Sequence, residues 1–154
     1  MSYLVAGDPA PHFELMDQNK SLVKLSDYLG RQLLLYFYPK AGTPGCTTQT
    51  CAVNDALTNL GNQGVAALGI SPDTPEKQDK FSKKHDVGFP LLSDPDHAIA
   101  DAYGAWGEKS MYGKKYMGIV RSSFLIGKDG AIRRAWYKVG PADTVRNAIA
   151  AIPE

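Results

Sequence analysis

Two runs of apolar residues, 33–38 (LLLYFY) and 65–70 (VAALGI), have the length of a β-strand and show no alternation with polar residues. Such runs are typical of strands that are buried on both faces of a sheet. Nearer the N-terminus, the short segments 12–15 and 22–25 are separated by the polar residues 16–21. This pattern predicts an N-terminal β-hairpin.

Apolar residues recur at helical spacing between and after these strands, which predicts amphipathic helices. The predicted helices cover residues 47–60, closed by Gly61, then 75–85, 95–103 and 143–152. Residues 89–94 are predicted to form a short strand or an extended segment. Near the C-terminus, strands over 122–127 and 131–139 flank the turn Lys128-Asp129-Gly130, which is a strong hairpin signal.

The order of these elements is ββ, then βαβαβα, then ββα. Strands that alternate with helices predict parallel pairing with helices on both faces of the sheet, and the last hairpin adds an antiparallel pair. The sequence therefore predicts an α/β protein with a thioredoxin-like fold, in which an N-terminal β-hairpin joins a central mixed sheet flanked by helices. A chain of 154 residues is the size of one domain, so we expect a single domain over 1–154.

The charge of the chain is nearly balanced, with 17 basic and 16 acidic residues and a formal net charge of +1. This balance argues against a nucleic-acid or membrane-surface partner. Residues 1–15 lack the charged and apolar regions of a signal peptide, and the apolar run 33–38 is too short to span a bilayer. We therefore expect a cytoplasmic protein.

Both cysteines of the chain, Cys46 and Cys51, lie in the segment YPKAGTPGCTTQTC. Two cysteines this close could ligate a metal, form a permanent disulfide, pack in the core or carry redox chemistry. A metal site is disfavoured because the three histidines lie on unrelated elements. A permanent disulfide is disfavoured in a reducing cytosol.

Helix geometry also limits a disulfide between the two cysteines. On one intact helix, a separation of five residues places the Cα atoms roughly 8.7 Å apart, beyond the ceiling of about 7 Å for a disulfide. A bond between Cys46 and Cys51 therefore requires the first turns of the helix to unwind.

The surroundings of Cys46 favour a nucleophile over a packing role. Cys46 lies where a loop meets a helix, and unpaired backbone N–H groups and the helix dipole favour the thiolate there. Gly42 and Gly45 allow a tight loop that brings N–H groups close to a small ligand. Thr43 could bind an incoming oxygen or cap the helix. Cys51, at a mid-helix apolar position, could equally be a core residue.

The segment from Pro39 to Cys46 (PKAGTPGC) fits P-x-x-x-[TS]-x-x-C and resembles the peroxidatic motif of the peroxiredoxins. Three further stretches, GISPDTPEKQDKF, FPLLSDPDHAIADAYGAWGEKSMYG and IVRSSFLIGKDG, follow in the order of the bacterioferritin comigratory (PrxQ) subfamily. The resemblance extends from roughly residue 8 to the end of the chain.

The resemblance implies a role for each matching residue. Cys46 corresponds to the peroxidatic cysteine, Thr43 and the Gly45–Cys46 backbone to the peroxide-binding groups, and Pro39 to the residue that shields the pocket. Arg121 corresponds to the active-site arginine, and Cys51 to the resolving cysteine of members that carry it five residues downstream. Gln49, where many relatives have glutamate, either bonds Arg121 or faces solvent.

The resemblance also implies the reaction. A peroxiredoxin reduces hydrogen peroxide or organic hydroperoxides through a cysteine sulfenic acid and, here, a Cys46–Cys51 disulfide that thioredoxin or a glutaredoxin-like protein reduces. It needs no metal, flavin or haem, and this subfamily is often monomeric. The chain lacks the GGLG segment and the C-terminal Tyr-Phe helix of overoxidation-prone members, which predicts resistance to sulfinic acid formation. A thiol–disulfide oxidoreductase and a redox-sensing module are the alternatives, although the former usually carries C-x-x-C.

Overall fold

The computed structural model describes residues 3–152 of the chain, and its strands and helices alternate largely as the sequence predicts. The strands are β1 (Glu14–Met16), β2 (Leu22–Lys24), β3 (Gln32–Phe37), β4 (Val65–Ser71), β5 (Leu91–Ser93), β6 (Trp106–Met111), β7 (Lys114–Ile119), β8 (Ser122–Ile126) and β9 (Ile132–Trp136). The helices are α1 (Pro44–Asp55), α2 (Leu57–Asn62), α3 (Pro75–His85), α4 (Ala98–Ala102) and α5 (Asp143–Ala151), with a 3₁₀ turn at Leu25–Tyr28.

Seven of the strands form one sheet in the order β2-β1-β5-β4-β3-β8-β9. The pairs β3–β4 and β4–β5 are parallel, whereas β1–β2, β1–β5, β3–β8 and β8–β9 are antiparallel. This arrangement confirms the predicted mixed sheet with an N-terminal hairpin and a thioredoxin-like order.

Strand β3 lies at the centre of this sheet and is buried along its whole length. Its residues alternate between two apolar layers. Leu35 and Phe37 pack with Phe124 on one face, while Leu34 packs with Leu60 and other residues on the opposite face. A strand that is apolar on both faces must be covered on both faces, and this accounts for helices on either side of the sheet.

The antiparallel register of β3 and β8 determines what lies at the end of β3. Phe37, the last residue of β3, pairs with Ser122, the first residue of β8. Arg121 precedes Ser122 directly, so its backbone lies beside the point where the chain leaves β3 for the loop 39–43. The sheet therefore brings Arg121 to the start of the loop that leads to Cys46.

The predicted helix over 47–60 differs from the observed helices in two ways. Helix α1 begins at Pro44, so Cys46 lies within its first turn instead of before it. A proline fits this first position because its missing N–H has no intrahelical acceptor there. The helical segment is also divided at Ala56, and Gly61 lies inside α2, so the prediction that Gly61 ends the helix was wrong.

The hairpin of β6 and β7 was not predicted. Most residues of these two strands are at least partly exposed to solvent. The sequence therefore lacks the alternation of apolar and polar residues that marks a half-buried strand. The connecting residues Tyr112 and Gly113 both have positive φ angles, 53° and 78°. This is the backbone of a two-residue hairpin turn, for which Asn-Gly would have been a clearer signal than Tyr-Gly.

Candidate active site

Cys46 lies in the first turn of α1 and is almost completely buried, with 1% of its surface exposed. It packs in an apolar cluster with Tyr36, Tyr38 and Phe81 among others. The first-turn N–H groups of a helix have no intrahelical acceptors, so they place partial positive charge at the end of α1 that carries Cys46. The sequence predicted this helix-start environment, and the helix begins three residues earlier than expected, at Pro44 instead of residue 47.

The guanidinium of Arg121 contacts the sulfur directly. Its Nη2 lies 3.6 Å from the Sγ atom of Cys46, and its Nη1 donates to the Oε1 atom of Gln49 at 2.6 Å. One planar group therefore binds two different acceptors, a geometry that suits arginine and that lysine cannot reproduce. The fixed positive charge favours an anion at Cys46 Sγ.

Gln49 is fully buried one turn along α1 from Cys46. Besides accepting from Arg121, it donates from Nε2 to the Oγ1 atom of Thr144 at 2.9 Å. Of the two alternatives that the sequence left open for Gln49, the hydrogen bond to Arg121 is correct and solvent exposure is wrong. Thr144 lies 95 residues from Gln49 on α5, and no sequence signal marked it.

Thr43 occupies the position just before α1, and its hydroxyl donates to the carbonyl oxygen of Lys40 at 2.7 Å. Because the hydroxyl proton of Thr43 is used in this hydrogen bond, the Thr43 oxygen can act only as an acceptor toward a ligand. The alternative role of the Thr43 side chain as a helix cap is not observed among the hydrogen bonds of residues 3–152.

Asp73 holds the same loop from the other side. One of its carboxylate oxygens accepts from the backbone N–H of Ala41 and from the Ser71 hydroxyl, each at 2.7 Å. Asp73 was not predicted as a site residue. The rest of helix α1, helix α2 and strand β4 separate it from Cys46 in the chain, so no local sequence pattern could link the two residues.

Gly45 is a position where a side chain would disturb the site. A Cβ atom built there would lie 3.0 Å from Arg121 Nη2 and 3.4 Å from Pro141 Cγ. Glycine therefore lets the guanidinium approach the first turn of α1 closely.

The remaining predicted residues lie around this centre. Pro39 is half-buried and directly follows Tyr38, which is in the same apolar cluster as Cys46. Cys51 is half-buried, and it lies on α1 together with Cys46, with both thiols free. Because α1 is continuous from Pro44 to Asp55, the distance argument against a disulfide in this state applies.

Lys109, on β6, adds a second cation to the electrostatics of the site. Burial lowers the pKa of Lys109, the positive charge of Arg121 lowers that pKa further, and Cys46 raises it. Lys109 was not predicted as a site residue because the sequence carries no clear signal for the β6–β7 hairpin on which it lies. Tyr36 lies in the same apolar cluster as Cys46, and its hydroxyl shares a 2.8 Å hydrogen bond with Thr50. Burial raises the pKa of Tyr36 strongly, so its phenol stays neutral.

Within residues 3–152, no three His, Cys, Asp or Glu side chains group together as a metal site would require. The same part of the chain has no helix with the length and apolar character needed to cross a membrane.

The family model described as the AhpC/TSA family matches residues 6–135. The chain belongs to this family. Peroxiredoxin Bcp of Escherichia coli strain K12 is 51% identical over 136 residues, which cover 88% of this chain and 87% of that protein. "Putative peroxiredoxin bcp" of Haemophilus influenzae is 49% identical over 138 residues, covering 90% of this chain and 89% of its own.

A solved structure agrees with the sequence relatives. Bacterioferritin comigratory protein of Xanthomonas campestris, studied for its alkyl peroxide reduction activity, superimposes with a TM-score of 0.85 at 38% identity. The match covers 91% of this chain and 89% of that one. The resemblance to the Bcp/PrxQ peroxiredoxins is therefore confirmed, and with it a peroxidase enzyme of the thiol-dependent class.

Proposed function

We propose that this peroxiredoxin reduces hydrogen peroxide and organic hydroperoxides with Cys46 as the peroxidatic cysteine. The observation that carries the proposal is the contact of Arg121 Nη2 with Cys46 Sγ at 3.6 Å in the first turn of α1. A thiolate is a far better nucleophile than a thiol, and this contact supplies a fixed positive charge beside it. The alkyl peroxide activity named for the Xanthomonas campestris relative supports the inclusion of organic hydroperoxides.

In the first step, the Cys46 thiolate attacks the terminal oxygen of the hydroperoxide ROOH. The S–O bond forms as the O–O bond breaks, and the leaving RO⁻ takes a proton to become water or an alcohol, which leaves Cys46 as sulfenic acid. Thr43 accepts a hydrogen bond from the peroxide, while Arg121 and the N–H groups of Gly45 and Cys46 stabilise the developing negative charge. Pro39 shields the pocket from water.

In the second step, the first turns of α1 unwind and Cys51 attacks the sulfenic sulfur. The S–S bond forms and the hydroxyl leaves as water, so the two cysteines end as an intramolecular disulfide. The half-buried position of Cys51 on α1, five residues from Cys46, supports this role. The intact helix keeps the sulfurs apart, so unwinding precedes the bond.

Peroxiredoxins take electrons from a thiol reductant, and we propose thioredoxin or a glutaredoxin-like dithiol protein for this one. Exchange with its two thiols returns Cys46 and Cys51 to the reduced state. The cycle uses no metal, flavin or haem. We further propose that the chain acts in the cytoplasm as a monomer built from the single domain 1–154.

The proposal is tested by thioredoxin-coupled consumption of hydrogen peroxide. The wild-type chain should turn over, and Cys46→Ser should abolish activity because it removes the nucleophile. Cys51→Ser serves as the matched control, since it alters the other thiol on the same helix: it should keep the first reaction with peroxide and lose turnover. Full activity of Cys46→Ser would refute the assignment.

Intact mass after one equivalent of peroxide tests the resolving step separately. The wild-type chain should lose two hydrogens and stay monomeric on a non-reducing gel, whereas Cys51→Ser should hold a sulfenic acid or a mixed disulfide. An intermolecular disulfide in the wild type would refute resolution within one chain.

A further inference from the structure

A chain of three contacts runs from the reactive sulfur to the C-terminal helix. Arg121 contacts Cys46 Sγ with Nη2 and Gln49 Oε1 with Nη1, and Gln49 Nε2 donates to Thr144 Oγ1 at 2.9 Å. Both Gln49 and Thr144 are fully buried, with 0% of their surface exposed. Bulk water therefore does not reach either side chain.

The direction of the Gln49 amide is set from both ends. Arginine has only donors, so the amide oxygen of Gln49 must face Arg121, and its NH₂ group must then face the other way. The Thr144 oxygen is the acceptor that meets this NH₂ group. Without it, the donor would be buried without a partner, at a cost that favours rotation of the amide away from Arg121.

We propose that Thr144 is a positioning residue, which acts through Gln49 to hold the Arg121 guanidinium on Cys46. The proposal rests on the function proposed above, because it concerns the same sulfur. Thr144 touches neither Cys46 nor Arg121 in the hydrogen-bond network of residues 3–152, so its effect on the reaction is transmitted by the amide.

The same hydrogen bond joins two elements that must separate in the resolving step. Gln49 lies on α1 between Cys46 and Cys51, and Thr144 lies on α5. The packing is reinforced at the first turn, where Pro141, just before α5, lies close to Gly45. Unwinding of residues 44–51 breaks the Gln49–Thr144 bond, so the Thr144 hydroxyl supports the peroxide step and opposes the resolving step.

The test compares Thr144→Val, which removes the hydroxyl at nearly constant volume, with Thr144→Ser, which keeps it. Thr50→Val is the matched control, because Thr50 is also fully buried and its hydroxyl bonds Tyr36 instead of the Arg121 network. Three quantities are measured: the rate of Cys46 with hydrogen peroxide, the pH dependence of Cys46 alkylation in a Cys51→Ser background, and the rate of disulfide formation.

Thr144→Val should slow the peroxide step about fivefold, as expected for the loss of one buried hydrogen bond, and move the alkylation midpoint to higher pH. Disulfide formation should become faster. Thr144→Ser should restore all three quantities, and Thr50→Val should leave the alkylation midpoint in place. In a Gln49→Leu background, the Thr144→Val change should lose its effect on the peroxide step.

An unchanged midpoint and peroxide rate in Thr144→Val would overturn the proposal, as would equal midpoint shifts in Thr144→Val and Thr50→Val. If Thr144→Val does not fold, Thr144→Ala is judged by the same outcomes, and failure of both to fold while Thr50→Val folds would assign Thr144 a structural role instead. The peroxidatic role of Cys46 is tested apart from this, since that role fails if Cys46→Ser remains active, whatever the Thr144 variants do.

Discussion

Gln49 and Arg121 lie 72 residues apart in the chain and are joined by a hydrogen bond of 2.6 Å between Gln49 Oε1 and Arg121 Nη1. The bond fixes one edge of the guanidinium, and the other edge is thereby directed at Cys46 Sγ. The orientation of the cation is thus determined by a neutral, buried amide. A neutral acceptor leaves the full positive charge available to the sulfur, which a carboxylate at this position would partly cancel.

Replacement of Gln49 by leucine should slow the reaction of Cys46 with hydrogen peroxide about tenfold, because a buried charged donor loses its acceptor. Stopped-flow measurement of the peroxide step checks this. Gln32→Leu is the control: Gln32 is also buried, but it lies at the start of β3, at the opposite end of that strand from the Cys46 loop. It should leave the peroxide rate close to wild type. Equal peroxide rates in Gln49→Leu and wild type would contradict the role of the amide.

Arg121→Lys should reduce the peroxide rate by a factor on the order of 100, although the charge is retained, because one ammonium group cannot bind Gln49 and Cys46 together. The same stopped-flow assay measures the loss. Arg134→Lys provides the control, since Arg134 is exposed on β9 and lies over the ring of Trp136. If Arg121→Lys reacted with peroxide as fast as the wild type, the positive charge alone would be sufficient to activate Cys46, and the bidentate geometry would not be needed.

Gly45→Ala should separate activity from stability. The added methyl would lie 3.0 Å from Arg121 Nη2, so the guanidinium must move by a few tenths of an ångström, and we expect a peroxide rate several-fold lower. The free energy of unfolding should not decrease together with the peroxide rate, because alanine is favoured over glycine within a helix by about 1 kcal/mol. Urea unfolding and peroxide kinetics measure the two effects.

Gly61→Ala is the control for that pair of measurements. Gly61 lies in α2, and a Cβ atom there would meet nothing within 4 Å. The Gly61→Ala variant should have a higher free energy of unfolding than the wild type and the same rate of reaction with peroxide. A Gly45→Ala enzyme with the wild-type rate would mean that Arg121 tolerates displacement.

The pKa of Lys109 should depend on the redox state of Cys46. Burial and the charge of Arg121 lower this pKa below its ordinary value of 10.5, and Cys46 raises it. Loss of the thiolate, by oxidation or in Cys46→Ser, should therefore lower the pKa of Lys109 further. NMR titration of the lysine side chains in both states checks the direction, with Lys128 on the β8–β9 turn as the control. An unchanged pKa would place Lys109 too far from the sulfur to sense it.

The lowered pKa of Lys109 also makes the stability of the folded protein depend on pH. Between the lowered pKa of the folded state and the ordinary value of 10.5, this lysine binds fewer protons in the folded state than in the unfolded state. Its contribution to stability should therefore rise with pH across that window. Lys109→Met should flatten this rise in urea unfolding measured across pH. A steeper rise in the variant would contradict the sign.

Cys46 should resist overoxidation to sulfinic acid. The expectation follows from the internal segment 103–109 (YGAWGEK), which stands where overoxidation-prone members carry a GGLG segment that slows the unwinding needed by the resolving cysteine. Intact mass after repeated turnover at modest peroxide should show no gain of two oxygens, whereas Cys51→Ser under the same conditions should gain them. Sulfinic acid in the wild type within a few turnovers would refute this prediction.

The sequence by itself determined the elements whose signal is local. The runs 33–38 and 65–70 became the central strands, and the segment from Pro39 to Cys46 formed the loop and first helical turn, because strand periodicity and turn chemistry depend on neighbouring residues. The β6–β7 hairpin escaped prediction because its largely exposed strands carry no such pattern.

The tertiary structure decided how the distant side chains meet at Cys46, and it alone added Thr144 to them. Arg121 reaches the sulfur because β8 pairs with β3 in a register that ends at Phe37 and Ser122, and Thr144 reaches Gln49 because α5 packs against α1. Each of these contacts depends on the order of strands in the sheet and the packing of helices on it. These are properties of the whole chain, since burial of the apolar faces selects one arrangement of elements that are locally almost independent.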